Sequence, residues 1–133
     1  MIRDELDKLI EIAAKEIYNA NHVIALVGAG MSAESGIPTY RGSGGIWTKI
    51  GEPDPRSFQN YINDPKSWWQ RMLNPEQTNE ESPERAKFLQ ALGAAKPNAG
   101  HYALVELENI GKLDTIITQN VDGLHRIAGN NNV

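Results

Sequence analysis

Cysteine is absent from the 133 residues. That excludes a disulfide frame, a thiol nucleophile and a cysteine–zinc centre within the chain. Positive charge is scarce: 13 Lys plus Arg stand against 17 Asp plus Glu, for a net charge of −4. With no basic run either, no direct nucleic-acid binding is expected. Long apolar runs are missing, and nothing approaches the ~18 uninterrupted apolar residues of a membrane span. Arg3, Asp4 and Glu5 charge the N-terminus at once, so a secretory signal is not expected. The apolar fraction of 40% and charged fraction of 23% are ordinary globular values. The length suits one modest domain, and the expectation is a soluble, cytoplasmic protein with no membrane partner.

What is present has a clear order. Leu6, Leu9, Ile10, Ala13 and Ile17 recur at helical spacing, with charges between them, and predict a first helix ending near residues 19–21. The apolar run Val23-Ile24-Ala25-Leu26-Val27 predicts a short strand buried on both faces, as in a parallel sheet. Residues 28–45 then hold glycine at 28, 30, 36, 42, 44 and 45. Such density means backbone freedom or close ligand approach. Residues 47–97 hold six of the seven prolines and all three tryptophans, with short helices predicted at about 55–62, 65–73 and 84–92. Asn98 predicts an N-cap for a helix to about Ile110, which Gly111 stops. Residues 113–118 form a second buried strand, followed by Gln119-Asn120-Val121-Asp122-Gly123 and a short helix over 124–128. Asn130-Asn131-Asn132-Val133 reads as a turn leading toward a further strand. The order of elements predicts an α/β fold with a Rossmann-like parallel sheet and a helical insert.

Gly28-Ala29-Gly30-Met31-Ser32-Ala33 fits the pattern G-x-G-x-x-A directly after a strand. Gly28 would let the chain turn sharply, Gly30 would admit a pyrophosphate, and Ala33 would let a helix pack closely on the sheet. The bland alternative is a plain tight strand–helix turn. An acidic ribose-binding residue is expected ~20 positions on. Glu52 and Asp54 lie there, but no strand precedes them, so an ordinary dehydrogenase half-domain is disfavoured.

The longer string Gly28-Ala29-Gly30-Met31-Ser32-Ala33-Glu34-Ser35-Gly36-Ile37-Pro38-Thr39-Tyr40-Arg41-Gly42 closely resembles a signature of the sirtuins, the NAD-dependent protein deacylases. Thr118-Gln119-Asn120-Val121-Asp122-Gly123-Leu124-His125-Arg126-Ile127-Ala128-Gly129 resembles their second signature, and Pro97-Asn98-Ala99-Gly100-His101-Tyr102-Ala103-Leu104 the helix before it. The resemblance covers essentially the whole chain. It implies the N-terminal part of a sirtuin catalytic domain, with a helical insert and cofactor loop at about 40–97. It also implies a base histidine beyond Val133 and a zinc module outside this chain, with no metal ligands among residues 1–133.

Residue by residue, the resemblance implies a cofactor-binding set of Gly28, Ala29, Gly30, Ser32, Ala33, Ile37, Thr39, Tyr40, Arg41, Gln119, Asn120, Val121 and Asp122. Asn120 and Asp122 are the catalytic candidates: Asn120 would orient the ribose or a water, and Asp122 the carboxamide of nicotinamide. Their bland alternative is turn formation, at which Asn and Asp excel. Tyr40 stands where the family usually has phenylalanine, and its hydroxyl needs a partner or water. Thr39 replaces the aspartate of many members. Arg41 would lie near the phosphates, its alternative being a surface salt bridge. His22 is expected to face solvent, His101 and His125 to be structural, Trp68 and Trp69 to pack, and Glu80-Glu81 to be a solvated loop.

The activity so implied is transfer of an acyl group from lysine to ADP-ribose with release of nicotinamide, the partners being acyl-lysine proteins. NAD hydrolysis, ADP-ribosyl transfer and an inactive truncated NAD-binding module are the competing expectations. The Tyr-x-x-Arg pair of sirtuins that remove acidic acyl groups would fall near Met72 and Pro75, and neither matches. Trp68 and Arg71 have the right spacing but lie about one turn too early, so an uncharged acyl group is expected. The segment 40–51 is expected to be a loop that orders with NAD. Residues 1–133 alone are expected to be inactive and only marginally folded.

Overall fold

A computed structural model of the chain describes residues 2–74 and 83–133. Pro75, the polar run 78–82 and with it Glu80-Glu81 lie outside the described residues. The chain divides into two compact units, residues 1–35 with 95–133, and residues 36–94.

The first unit carries the sheet. Helix α1 (Ile2–Asn19) opens it, with Asp4 and Glu5 in the first turn, where negative charge complements the helix dipole. Strand β1 (Ile24–Val27) pairs in parallel with β2 (Thr115–Thr118), with Ile24 opposite Thr115 and Val27 opposite Thr118. Parallel strands need a long crossover, and here everything between Val27 and Thr115 supplies it. Because the pairing is in register, the loops after Val27 and Thr118 leave from the same carboxyl edge. Ile116 is buried, as are Leu113 and Leu124.

The expectation of strands buried on both faces fails for these residues. Ile24 is 58% and Leu26 70% exposed, and Ile117 is also open. The α1 stripe of Leu6, Leu9 and Ile10 is likewise exposed. No described element covers that sheet face or that stripe. Burial is a property of a residue and its neighbour together, and the apolar pattern specifies only the residue.

The glycine turn also differs from expectation. Residues Ala29–Ser35 form a 3₁₀ run, not the start of an α-helix, and Ala33 is exposed and packs no helix onto the sheet. Helix α6 (Ala99–Asn109) follows its sequence signals closely. Asn98 accepts from the Gly100 and His101 backbone N–H groups, and the His101 ring accepts from the Asn98 N–H, a reciprocal capping box. Gly111, at φ +71°, supplies the left-handed residue past its end. Helix α7 (Leu124–Ala128) packs on α6. The tail folds back: Glu108 accepts from Asn130 Nδ2 and from the Asn131 and Asn132 N–H groups, and the Asn132 carbonyl receives the Ile116 N–H.

The second unit contains α2 (Ile46–Ile50), α3 (Ser57–Asn63), α4 (Pro65–Leu73) and α5 (Pro83–Ala94). Asp64 caps α4 by accepting from the Ser67 N–H, with Pro65 at the first helical position, where a missing N–H costs nothing. Tyr61 meets Trp68 edge-on at 5.2 Å, and Trp68 meets Trp69 at 5.0 Å. The segment 40–51, expected as a loop, includes α2, tied down by Ile46 N–H to Thr39 O and Trp47 N–H to Tyr40 O.

Candidate functional site

The first unit builds a polar node at the carboxyl edge of its strands. Asn120 sits two residues past β2, and its N–H reaches back to the Thr118 hydroxyl at 3.0 Å. Its side-chain amide donates to the Gly28 carbonyl at 3.0 Å and to Ser32 Oγ at 3.2 Å. Ser32 donates in turn to Asp122 Oδ2 at 2.7 Å. The other Asp122 oxygen accepts from the Leu124 N–H at 2.9 Å. Gly123, at φ +70°, makes that last bond possible by turning the chain into α7.

Ser32 and Asp122 are 90 residues apart, and these side chains bring the glycine turn and the second loop together. Ser32 is 1% exposed and its hydroxyl proton is committed to Asp122, so it acts here by positioning the acid. Gln119 and Val121 are exposed on the same loop, and Ala29 is half-buried.

The two glycines of the turn are informative. Neither Gly28 nor Gly30 has a positive φ, and a Cβ added at either meets nothing within 4 Å. Their backbone conformation therefore does not demand glycine, and neither does packing. The sharp turn expected of Gly28 therefore does not require glycine there. Both positions leave the backbone open to close approach.

Asn98 contributes a role that its sequence context did not reveal. Besides capping α6, its amide donates to the Met31 carbonyl at 2.8 Å and to Ser35 Oγ at 3.1 Å. It ties α6 to the 3₁₀ run across more than sixty residues, and no local pattern signals such a contact. His101 and His125 are 0% and 2% exposed, with ring centroids 4.8 Å apart. Burial pushes both imidazoles below the ordinary histidine value, while the Asp122 charge pulls them up. His22, by contrast, is open to solvent and meets Asp114 at 3.1 Å.

Ile37, Thr39, Tyr40 and Arg41 belong to the second unit. Ile37 is buried. Thr39 Oγ1 donates to the Arg41 carbonyl at 2.8 Å. The Tyr40 ring lies against Trp47 at 5.1 Å and Phe88 at 6.2 Å. Arg41 is engaged by Glu52, with Nε at 3.1 Å and a second bond at 3.4 Å, and its guanidinium lies 4.8 Å from the Trp47 ring centroid. Arg41 thus makes a surface salt bridge. Those bonds hold the Glu52 carboxyl below its usual value. Asp54 pairs with Arg56 at 3.0 Å, so both acids near the ribose-reading distance are occupied elsewhere. No group of three or more His, Cys, Asp or Glu among the described residues could hold a metal ion. No helix among them is long and apolar enough to cross a membrane.

Parallel strands with a glycine turn and a polar node at their carboxyl edge give the first unit a Rossmann-like α/β architecture. The Sir2 family pattern matches residues 28–133, and the chain belongs to that family. It is 38% identical over 130 residues to the NAD-dependent protein deacetylase 1 of Pyrobaculum aerophilum, covering 98% of this chain and 44% of that protein. It is 40% identical over 126 residues to the NAD-dependent protein deacylase of Pyrococcus abyssi, covering 94% and 44%. A solved Sir2 homologue, a point mutant bound to ADP-ribose, superposes with a TM-score of 0.64 at 38% identity, covering 92% of this chain and 44% of that one. A Sir2 homologue–NAD complex gives 0.60 at 36% identity, covering 92% and 43%. The chain thus spans less than half the length of the relatives it matches.

Proposed function

We propose that the complete protein is an NAD-dependent protein-lysine deacylase, in which an acyl group passes from lysine to ADP-ribose and nicotinamide is released. One observation carries this reading: the Ser32–Asp122–Asn120 network joins a glycine turn open to ligand approach with a loop bearing an acid and an amide. Binding sites of open α/β sheets lie at that edge. The relatives' names, and the solved complexes with NAD and ADP-ribose, support NAD as the dinucleotide.

In this reading Gly28, Ala29 and Gly30 give the dinucleotide phosphates access to the backbone. Asp122, fixed by Ser32 and Leu124, offers its side-chain oxygens to the nicotinamide amide. Asn120 orients the ribose or a water. When bound, NAD would supply a glycosidic bond whose cleavage develops positive charge on the ribose, and the fixed side chains of Asn120 and Asp122 would stabilise such charge without reorganising. Acyl-lysine proteins are the substrates proposed, with zinc held outside residues 1–133 and a cytoplasmic location. A solved Sir2 with a deacetylated p53 peptide supports the substrate class.

The test is nicotinamide release by the complete protein, with and without an acetyl-lysine peptide. The expected result is peptide-dependent release matched by deacetylated peptide, and Asp122→Asn should slow it at least tenfold. Nicotinamide released with the acetyl group left in place would indicate NAD hydrolysis, and ADP-ribose attached to protein would indicate transfer. Either outcome, or no release at all, would refute the proposal.

A further inference from the structure

The buried pair His101 and His125 has no part in the chemistry proposed above, yet both rings connect to the glycine turn. The Asn98 N–H donates to His101 Nδ1 at 3.2 Å, so Nδ1 is an acceptor and carries no proton. The neutral ring must then hold its proton on Nε2. That nitrogen is buried, and it finds no hydrogen-bond partner among the described residues; nor does either nitrogen of His125. With centroids 4.8 Å apart, the two rings cannot both carry charge without strong repulsion in a site of low dielectric.

We propose that His101 and His125 are positioning residues for the turn Ala29–Ser35, and that both must be neutral to hold it in its binding geometry. Two separate routes lead to that turn. Charging His101 puts a proton on Nδ1 and expels the Asn98 N–H. Asn98 is the residue whose amide grips Met31 O and Ser35 Oγ. Charging His125 sets a cation that attracts the Asp122 carboxylate and so competes with the Ser32 hydroxyl which that carboxylate receives. The titratable groups acting on the pair are Asp122 and the rings themselves, Asp122 from the loop before α7 and each ring from the helix facing it. Glu108 on α6 is engaged by the 130–132 tail, and Arg126 on α7 by the Val133 carbonyl. Both routes release the same seven residues on acidification.

This inference rests on the turn being the NAD site, and the experiment separates the two. NAD is titrated calorimetrically into the complete protein from pH 8 to pH 5. Affinity should be flat through neutral pH, then weaken toward a limit of about tenfold per pH unit below the pair's own titration, as coupling to one proton requires. Burial sets that onset below the ordinary histidine value of about 6.5. His101→Ala should weaken binding about tenfold at pH 8. His101→Gln, which preserves the capping box but cannot titrate, should recover most of that loss. It should also make the acid limb shallower, and adding His125→Phe should flatten it. Imidazole ¹⁵N spectra of the unmutated protein give a readout that needs no variant. His101 should show the Nε2–H tautomer at pH 8, and its protonation should track the loss of affinity. An affinity independent of pH, or an acid limb unchanged in the double variant, would overturn the inference alone. No NAD binding at pH 8 would overturn the assignment of the site, and the inference with it.

Discussion

Asn98→Ala is the substitution with the largest stability cost argued directly from side-chain contacts. The side chain makes four hydrogen bonds: it accepts from the Gly100 and His101 N–H groups and donates to Met31 O and Ser35 Oγ. Loss of an N-cap costs about 1 kcal/mol. Each of the two donated bonds, to part-buried acceptors, is worth about 1 kcal/mol net. The sum is about 3 kcal/mol, more than a hundredfold in the folding equilibrium. Asn98→Asp separates the components. Its carboxylate restores the cap but has no donor for Met31 O, so it should recover only about 1 kcal/mol. The assay is urea unfolding of the complete protein followed by circular dichroism, with equal slopes required for comparison. A loss below about 0.5 kcal/mol for the Ala variant, no more than an ordinary surface substitution costs, or full recovery by Asp, would refute the assignment of Asn98 as a tie between α6 and the turn.

Two further outcomes follow from the geometry and a third from the sequence. Gly45→Ala should destabilise the second unit, because its Cβ would lie 2.7 Å from Tyr40 O and 2.8 Å from the Arg41 carbonyl carbon; a melt within one degree of the parent would contradict this. The Glu108 carboxyl is held below its usual value, chiefly by Asn130. Its hold on the tail is therefore complete above the ordinary glutamate value of about 4.3 and is lost as pH falls through the lower folded value. Amide protection at Asn131 and Asn132, taken relative to the intrinsic exchange rate at each pH, should fall only in that acid range, and a fall already at pH 6 would count against it. Acetyl-lysine peptides should be turned over faster than succinyl-lysine ones, since an unpaired carboxylate is costly to desolvate; the reverse order in matched peptides would defeat the expectation. Pro75 and the side chain of Met72, which stand near the Tyr-x-x-Arg positions, lie outside the described residues.

Elements bounded by local chemistry were legible in the sequence. Asn98 and Gly111 bracket α6 because a cap and a left-handed stop act on their own backbone neighbours. The apolar runs before the glycines and before Gln119 became the two parallel strands for the same reason. What sequence could not disclose was partnership at a distance. Ser32 meets Asp122 across 90 residues. The pairing of the two signatures came from resemblance, and the bonds themselves only from structure. The resemblance implies Arg41 beside the phosphates, and nothing in its local spacing names Glu52, eleven residues on, as its partner. The exposed faces of β1 and α1 make the same point: periodicity tells which residues prefer burial, not what covers them.

The central claim is that the turn after β1 receives a dinucleotide on glycines that the fold itself does not need. Gly30→Val tests it most directly. At Gly30 an added Cβ meets nothing within 4 Å and φ is not positive, so the variant should fold as the parent does, within the ~0.5 kcal/mol typical of a tolerated surface change. The same side chain should fill the space the phosphates require. Calorimetric titration of NAD into the complete protein and this variant, beside matched thermal melts, is the measurement. The account predicts unchanged melting with NAD binding lost by at least a hundredfold. Equal affinities would contradict it.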